Sequence, residues 1–514
     1  MSDSRRFLGD LDAEMDEKFG DHFIEPPVLE RIRSTSSNII FGSKGSGKTA
    51  IRRGLVEMNR ENYFATKTVD LDEISFDQVH AALEQLNETT QTELSTLASN
   101  TWRNVLALHC LDAVAGTLQK QSGLTQEIAN LLASEKFHPD DTNPLVSQIE
   151  RFLRRIVGLG LESKEKTVLP LSQEQRGVAT SFPLNPGVTR LLESCNDIIA
   201  KSGKRVLVCI DGFDSIVGHT PASRLAIFSG LIDAVQKLSR DRLLSQTFSF
   251  KAFLPQELAD NAQSVVWDSD KYILNTHYLK WSTTGIERFI MKRFLPYSRK
   301  KSGQFPVVWH EFMPEKVPNS HYKTAEDSLA YILRHTLYRP RQILIHLQRI
   351  LDEWDETSNS FRVDTSFIPR VVADTNLVLA TSVVNQLEVT HPGTEAFMQS
   401  WSGSPNILNV GKFAERIRRT YGVQDPSDFN EIFDYLYNFG VFGIVPRGGA
   451  ANVSGAARSS KASFQFAFVQ GRYIRNVHTS VEDSALLAFS PMFHEYCGCV
   501  PVGDSPIVPA GIGD

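Results

Sequence analysis

The most constraining feature of this sequence is a glycine-rich segment near the amino terminus, which reads GSKGSGKT from Gly42 to Thr49. It matches every fixed position of the phosphate-binding loop pattern, G-x-x-x-x-G-K-[ST]. The segment follows the strand candidate Asn38 to Phe41, which reads NIIF, and precedes TAIRRGLVEMNRENY, which has the apolar periodicity of a helix. Because strand, loop and helix occur in the order that such a loop requires, the sequence predicts a phosphate-binding site here.

The residue types in this segment suit phosphate chemistry. The glycines Gly42, Gly45 and Gly47 let the backbone adopt positive φ angles, so that N–H donors can converge on an anion at the start of the next helix. We expect Lys48 to reach the β- and γ-phosphate oxygens as a positive charge, and the Thr49 hydroxyl to bind Mg²⁺. The residues predicted to contact the phosphates are Gly42, Ser43, Lys44, Gly45, Ser46, Gly47, Lys48, Thr49 and Ala50.

Two acidic residues follow a second apolar run. KRVLVCI, from Lys204 to Ile210, has the length and β-branched content of a central strand, and Asp211 follows it directly. A carboxylate at the tip of a neighbouring strand commonly helps to hold Mg²⁺ in such sites, so we predict Asp211 as a metal ligand together with Thr49. Asp214 is predicted to be the catalytic base that orients or deprotonates the attacking water. The alternative is that both acids begin a turn and cap a helix, where Asp is common.

The segment VLVCIDGFDS resembles the Walker B segment of STAND-class ATPases, which are signal-transducing relatives of AAA+ proteins. In that family an apolar run leads into Asp-Gly-hydrophobic-Asp, and the resemblance covers both acids. The sequence departs from the family at Ser215, where many relatives carry another acid, and at Gly212, where AAA+ proteins usually have their catalytic Glu. These departures imply slow hydrolysis.

A second part of the resemblance lies at TLYRPRQIL. AAA+ and STAND proteins carry an Arg in the lid helix, often preceded by Pro, that reaches back to the γ-phosphate. Arg341 matches that position and is predicted to contribute to catalysis, and Arg339 is a second candidate, because a guanidinium offers a rigid fork of donors to phosphate oxygens. The alternative is a Pro at a helix start that is flanked by solvated arginines.

The order of the predicted elements indicates an α/β fold with a parallel-sheet P-loop NTPase core. We predict a core over residues 1–295 with a helical insertion at about 76–200, a helical lid over 296–370, and a winged-helix-like domain over 371–514. The winged helix is indicated by helices that end in FNEIFDYLYNFGVFGIVP, followed by a loop and the alternating SFQFAFVQ. Further strand candidates are Tyr63 to Leu71, Phe248 to Pro255 and Lys271 to Leu279.

Composition excludes several other classes of protein. The chain has 514 residues, of which 41% are hydrophobic and 22% charged, and no run approaches the roughly 18 apolar residues of a membrane span. Its five cysteines are too few and too scattered for a disulfide framework, and the amino terminus does not resemble a signal peptide. We therefore expect a cytoplasmic protein with no membrane partner. The net charge of −6 offers no global field for nucleic acid.

The resemblance to STAND and origin-recognition ATPases implies an ATP-controlled molecular switch with ATP and Mg²⁺ as cofactors. ATP is preferred over GTP because of this resemblance and because the sequence lacks an Asn-Lys-x-Asp motif. The resemblance further implies a homo-oligomer or a separate effector protein, and by analogy a role in bacterial signalling or antiviral defence.

Two other functions remain open. A DNA-binding loader or initiator would use the basic residues Arg447, Arg458 and Lys461 in the predicted wing, although these also suit a flexible polar loop. A pseudo-ATPase would hold nucleotide as a structural ligand.

Overall fold

The computed structural model describes residues 8–35, 37–71, 91–118, 123–135, 184, 186–213, 221–242, 244–256, 275–300, 303–319, 323–357, 362–445, 464–467, 474, 476–502 and 507. The strands are β1 (Ser37–Gly42), β2 (Tyr63–Asp70), β3 (Arg205–Asp211), β4 (Phe248–Pro255), β5 (Thr276–Tyr278), β6 (Lys316–Asn319), β7 (Thr324–Asp327), β8 (Ile407–Asn409), β9 (Phe442–Ile444) and β10 (Leu486–Phe489). The helices are α1 (Phe19–His22), α2 (Leu29–Ser34), α3 (Lys48–Glu57), α4 (Gln91–Thr117), α5 (Gly123–Ser134), α6 (Pro186–Ser202), α7 (Pro221–Arg240), α8 (Thr283–Phe294), α9 (Phe305–Phe312), α10 (Ser328–Arg334), α11 (Pro340–Thr357), α12 (Phe367–Thr390), α13 (Thr394–Gln399), α14 (Val410–Tyr421), α15 (Pro426–Asn438) and α16 (His494–Cys497).

The chain divides into two compact units. The sheet unit consists of Glu25–Gly42 and Lys48–Tyr278, and the C-terminal unit consists of Met1–Ile24, Ser43–Gly47 and Leu279–Asp514.

The sheet unit contains five parallel strands in the order β2-β3-β4-β1-β5. Four of the strands predicted from the sequence are confirmed with small shifts at their ends, whereas the predicted strand Lys271 to Leu279 is a strand only over Thr276–Tyr278, and residues 271–274 lie outside the described part of the chain. Strands β3 and β4 formed recognisable runs because every residue of β4, and every residue of β3 after Arg205, is buried, so apolar side chains occupy both faces. The protein therefore has an α/β fold with a parallel sheet.

The register of the sheet aligns the carboxyl ends of its strands. Gly42, the last residue of β1, pairs with Pro255 at the end of β4, and Asp211 of β3 pairs with Asp70 of β2. The same edge of the sheet therefore carries the start of the phosphate loop and the predicted metal ligand Asp211.

Part of the predicted helical insertion belongs to the core of the sheet unit. Helices α4, α5 and α6 are helical as expected, whereas residues 72–90 and 136–183 lie outside the described part of the chain. Helix α4 packs closely on α7: the Trp102 indole donates a hydrogen bond to the Ile227 carbonyl at 3.0 Å, and Ser99 Oγ donates to Asp233 Oδ2 at 2.5 Å. At the crossing, a Cβ added to Gly230 would lie 2.5 Å from the Ala98 Cβ, so glycine permits this close approach.

A buried polar cluster lies within the same sheet. Lys251, in the middle of β4, is fully buried, and its ammonium donates hydrogen bonds to the Thr35 carbonyl and to the Asn38 side chain. The Asn38 amide lies 3.0 Å from His277 Nε2 of β5. Burial lowers the pKa of Lys251 to about 7, because the charged amine is removed from water.

The C-terminal unit contains the predicted lid, which is not purely helical. Between α9 and α10 the chain forms a two-stranded antiparallel hairpin, β6 and β7, which the sequence analysis did not predict. Its strands carry few apolar residues, since Val317 is the one large apolar side chain buried in them, so hydrophobic periodicity gave no signal. The lid helices pack around a buried core that includes Trp309, Phe312 and Ile343.

The end of this unit contains a three-stranded antiparallel sheet in the order β8-β10-β9. The sequence analysis expected SFQFAFVQ to form the strand after the loop. In the described residues Phe464–Ala467, Phe464 and Gln465 form isolated bridges, that of Gln465 to Ile444, and the central strand is β10 instead. Arg447, Arg458 and Lys461 lie outside the described residues, and the winged-helix assignment remains a prediction.

Among the described helices, one stretch, Phe367–Glu388 of α12, is long and apolar enough to cross a membrane by length and composition alone. Half of its most apolar stretch is buried inside the structure. Val371 and Val384 of this helix are fully buried in the cores of the C-terminal unit, so packing accounts for much of its apolar character.

Candidate nucleotide-binding site

The loop from Gly42 to Thr49 joins the end of β1 to the start of α3. Gly45 has a φ of +82° and Gly47 a φ of +98°, conformations that side chains other than glycine rarely adopt. The Ser46 N–H donates to the Ser43 carbonyl at 3.1 Å, which closes a tight turn. The predicted strand, glycine loop and helix are therefore all present, and Gly45 and Gly47 stand where the backbone requires glycine. The prediction for Gly42 is wrong, because this residue ends β1 and pairs with Pro255 without a positive φ.

Lys48 is the first residue of α3 and is 6% exposed. Its ammonium donates a hydrogen bond to the Gly42 carbonyl at 3.0 Å, which holds the side chain against the base of the loop. Lys44, the other lysine of the loop, is exposed. Thr49 and Ala50 occupy the first turn of α3, where backbone N–H groups have no partner within the helix and attract anions.

Three donors of the C-terminal unit hold the carbonyls of the loop. Arg339 Nη1 donates to the Lys44 carbonyl at 3.4 Å, the Arg341 N–H donates to the Gly45 carbonyl at 3.4 Å, and the Trp281 indole donates to the Ser46 carbonyl at 2.9 Å. In a planar trans peptide the C=O and N–H point in opposite directions. The N–H groups of Gly45 and Gly47 therefore point away from Arg339 and Trp281.

The buried Ser46 side chain makes the loop suited to an anion. Within the described part of the chain, the Ser46 hydroxyl is buried and has no hydrogen-bond partner. A buried hydroxyl without a partner is unfavourable, and a phosphate oxygen would satisfy it. This orphaned donor, the helix start and Lys48 together fit a nucleotide phosphate.

A strained turn positions the two predicted lid arginines. Tyr338 has a φ of +56°, which is rare for a bulky residue, and Pro340 begins α11 two residues later. A Cβ added to Gly45 would lie 3.2 Å from the Arg341 Cβ, and Arg341 Nε donates to the Leu11 carbonyl at 3.3 Å. Sequence reasoning thus identified two residues that the structure places at the loop, whereas their predicted contact with a γ-phosphate remains a prediction.

The predicted metal ligand Asp211 ends β3 and is 5% exposed. Its Oδ2 accepts a hydrogen bond from Arg52 Nε of α3 at 3.1 Å, and Arg52 Nη1 donates to Thr68 Oγ1 of β2 at the same distance. The sequence analysis missed this buried ion pair. Asp214 and Ser215 lie outside the described residues, and the role of Asp214 as catalytic base remains a prediction.

Two of the missed residues differ in how they could have been found. Arg52 lies three residues after Thr49, so helical periodicity would have placed it on the same side of α3. Trp281 lies 235 residues from its partner Ser46, and no local pattern signals such a contact.

No family model matches this sequence, and no curated protein matches it. The chain is similar to the solved ORC2 protein of Aeropyrum pernix with bound ADPNP and ADP, at a TM-score of 0.35, 11% identity and coverage of 87% of this chain and 92% of that one. It is also similar to the Walker-type ATPase paby2304 of Pyrococcus abyssi, at a TM-score of 0.39, 10% identity and coverage of 89% and 93% respectively.

A third solved structure is the ORC1 protein of Aeropyrum pernix in complex with DNA, with a TM-score of 0.31, 13% identity and coverage of 86% of this chain and 90% of that one. The fold assignment rests on the parallel sheet and phosphate loop of this chain.

Proposed function

We propose that this protein is an ATP-binding and ATP-hydrolysing molecular switch of the STAND and AAA+ type. The observation that carries the proposal is the loop from Gly42 to Thr49, with two glycines at positive φ, an orphaned buried Ser46 hydroxyl, and Lys48 held at its base. A loop of this geometry binds the phosphates of a nucleotide through backbone N–H groups and the lysine charge.

The residues have distinct roles in this proposal. The loop backbone orients the phosphates, and Lys48 neutralises the charge on their β and γ oxygens. Thr49 and Asp211 are the residues that would hold Mg²⁺, whose chemistry is to neutralise phosphate charge. Asp214 would accept a proton from the attacking water.

A switch also requires the loop to be coupled to the rest of the C-terminal unit. Arg339, Arg341 and Trp281 bind successive loop carbonyls, so a change in the loop backbone would alter the position of α11. The next residue, Gln342, accepts from the Leu337 N–H at 2.8 Å and contacts Met492 Sδ at 3.8 Å near the end of the chain. This series of contacts supports a switch more than a rigid ATPase.

The test is equilibrium binding and turnover of ATP with Mg²⁺ by the wild type, Lys48→Ala and Lys44→Ala. Loss of the Lys48 charge should weaken ATP binding at least about tenfold, because a buried charge-assisted contact is removed. Lys44→Ala removes the same charge from the exposed part of the loop and should stay within about twofold of the wild type. Equal effects of the two substitutions would contradict the proposed site.

A pseudo-ATPase that holds nucleotide without turnover is a second candidate. Gly212 has a φ of +83°, so a glutamate at this position would be strained, and this is where AAA+ proteins usually place the catalytic Glu. Turnover that is measurable in the wild type and lost in Asp214→Asn would exclude the pseudo-ATPase. Tight ATP binding without turnover would establish it.

The DNA-loader alternative depends on basic surface in the predicted winged helix. Helix α14 exposes the basic residues Lys412, Arg418 and Arg419 together with one acid, Glu415, whereas the charged residues that α15 exposes are Asp428 and Glu431. Acidic side chains repel a phosphate backbone, so α15 does not favour insertion into DNA. A steep loss of DNA affinity with rising salt would support the loader. This salt dependence should be weaker in Arg418→Gln and in Arg419→Gln.

The biological setting is proposed from the family resemblance alone. We infer a cytoplasmic switch that forms homo-oligomers or acts on a separate effector protein, in bacterial signalling or antiviral defence. Mass photometry with and without ATP would test whether the protein forms homo-oligomers. An intrinsic nuclease activity that is lost on substitution outside the nucleotide site would argue against a separate effector.

A further inference from the structure

The predicted metal ligand Asp211 is already bound to a positive charge of the protein. Arg52 Nε lies 3.1 Å from Asp211 Oδ2, and both side chains are less than one-tenth exposed. Arg52 is further held by its bond to Thr68 Oγ1, so its guanidinium is fixed by two elements of the sheet unit.

The position of Arg52 makes this pair relevant to the metal. Thr49 and Arg52 are three residues apart on α3, so they lie on neighbouring positions of one helical face. A cation shared by Thr49 and Asp211 would thus be close to the guanidinium. A buried carboxylate with an arginine partner has no net charge, and it attracts a hydrated divalent cation less strongly than a free carboxylate does.

We propose that Arg52 is a positioning residue that acts through Asp211. It raises the Mg²⁺ half-point, which is the Mg²⁺ concentration that gives half of the Mg²⁺-dependent increase in nucleotide binding. The inference rests on the proposed nucleotide site. Arg52 competes with Mg²⁺ for the Asp211 carboxylate. Its guanidinium supplies beside Asp211 part of the positive charge that the metal would otherwise supply.

The experiment measures binding of a fluorescent ADP to the full chain at stepwise Mg²⁺ concentrations, and the readout is the Mg²⁺ half-point. Arg52→Gln should lower the half-point on the order of tenfold, since a unit charge acts on a divalent ion over roughly 5 Å. Arg52→Lys keeps the charge and should restore a half-point within about threefold of the wild type.

A neighbouring arginine provides the matched control. Arg53 lies on the same helix, one residue further along, and forms an ion pair with Glu57 at 2.7 Å. Arg53→Gln removes the same charge but does not touch Asp211, so its Mg²⁺ half-point should remain that of the wild type. An unchanged or raised half-point in Arg52→Gln would overturn the inference. Wild-type protein that does not bind the nucleotide at any Mg²⁺ concentration would instead overturn the proposed function.

Removing one partner of a buried ion pair can cost several kcal/mol and prevent folding. The double variant Arg52→Gln with Asp211→Asn leaves no unpaired charge and is compared with Asp211→Asn alone. These two proteins should differ by less than about threefold in Mg²⁺ half-point, because the carboxylate for which Arg52 and Mg²⁺ compete is absent from both. A half-point about tenfold lower in the double variant would show that Arg52 repels the metal directly and does not act through Asp211, which would overturn the inference.

Discussion

The stability of the sheet unit should depend on pH through Lys251, which lies fully buried in β4. Burial lowers the pKa of this amine to about 7 from its ordinary 10.5, so in the intervening pH range the unfolded chain binds a proton that the folded chain has released. Unfolding then takes up a proton, and the free energy of unfolding rises with pH over this range. Between pH 7.0 and pH 8.5 the gain is roughly 1.6 kcal/mol.

The neighbours of Lys251 can be separated from this effect. Burial lowers the pKa of His277, so that group titrates below the range tested. Burial raises the pKa of the Cys209 thiol to about 12, and its effect on stability should be similar with and without the lysine. The difference between wild type and Lys251→Met therefore isolates the amine.

The assay is urea unfolding of wild type and Lys251→Met at pH 7.0 and pH 8.5. The absolute stability of the variant is not the test, because the substitution also removes donors from the Thr35 carbonyl and Asn38. The wild type should gain roughly 1.6 kcal/mol more than the variant over this range. Equal gains in the two proteins would refute the reasoning, since Lys251 would then retain its ordinary pKa.

Two further predictions follow from close contacts. Gly230→Ala should lower the stability of the sheet unit by on the order of 1–3 kcal/mol in thermal unfolding, because the new Cβ would lie 2.5 Å from the Ala98 Cβ and 2.8 Å from the Ser99 nitrogen. Gly116→Ala is the control, since no atom lies within 4 Å of its added Cβ, and it should be neutral or slightly stabilising. Trp281→Phe removes the donor to the Ser46 carbonyl and retains the ring contact with Phe289. ATP binding measured by calorimetry should weaken about three- to tenfold. Unchanged affinity would show that this hydrogen bond does not support the loop.

Local patterns were enough to predict much of the fold. Strands β1, β3 and β4 were recognisable because buried parallel strands are continuous apolar runs, and NIIF and VLVCI are such runs. The hairpin of β6 and β7 and the strand β10 were missed for two different reasons. The strands of the hairpin carry few apolar residues. Strand β10 is four residues long, and its pairing is decided by partners distant in the chain, since Leu487 lies between Ile444 and Leu408.

The phosphate loop shows the same division within one site. Its glycines and lysine were evident from the sequence, because backbone conformation and phosphate charge constrain residue type at consecutive positions. The carbonyl contacts of Arg339 and Trp281 depend on segments that are more than 230 residues away.

The sequence by itself determined that a phosphate-binding loop joins a buried strand to a helix, and that Asp211 stands at the tip of a second strand. Both follow from chemistry that acts over a few neighbouring residues. Only the tertiary structure decided that Arg52 neutralises Asp211 and that Trp281 and Arg341 bind the loop backbone. Such pairs depend on which surfaces meet when the chain packs, and no periodicity along the sequence records that meeting.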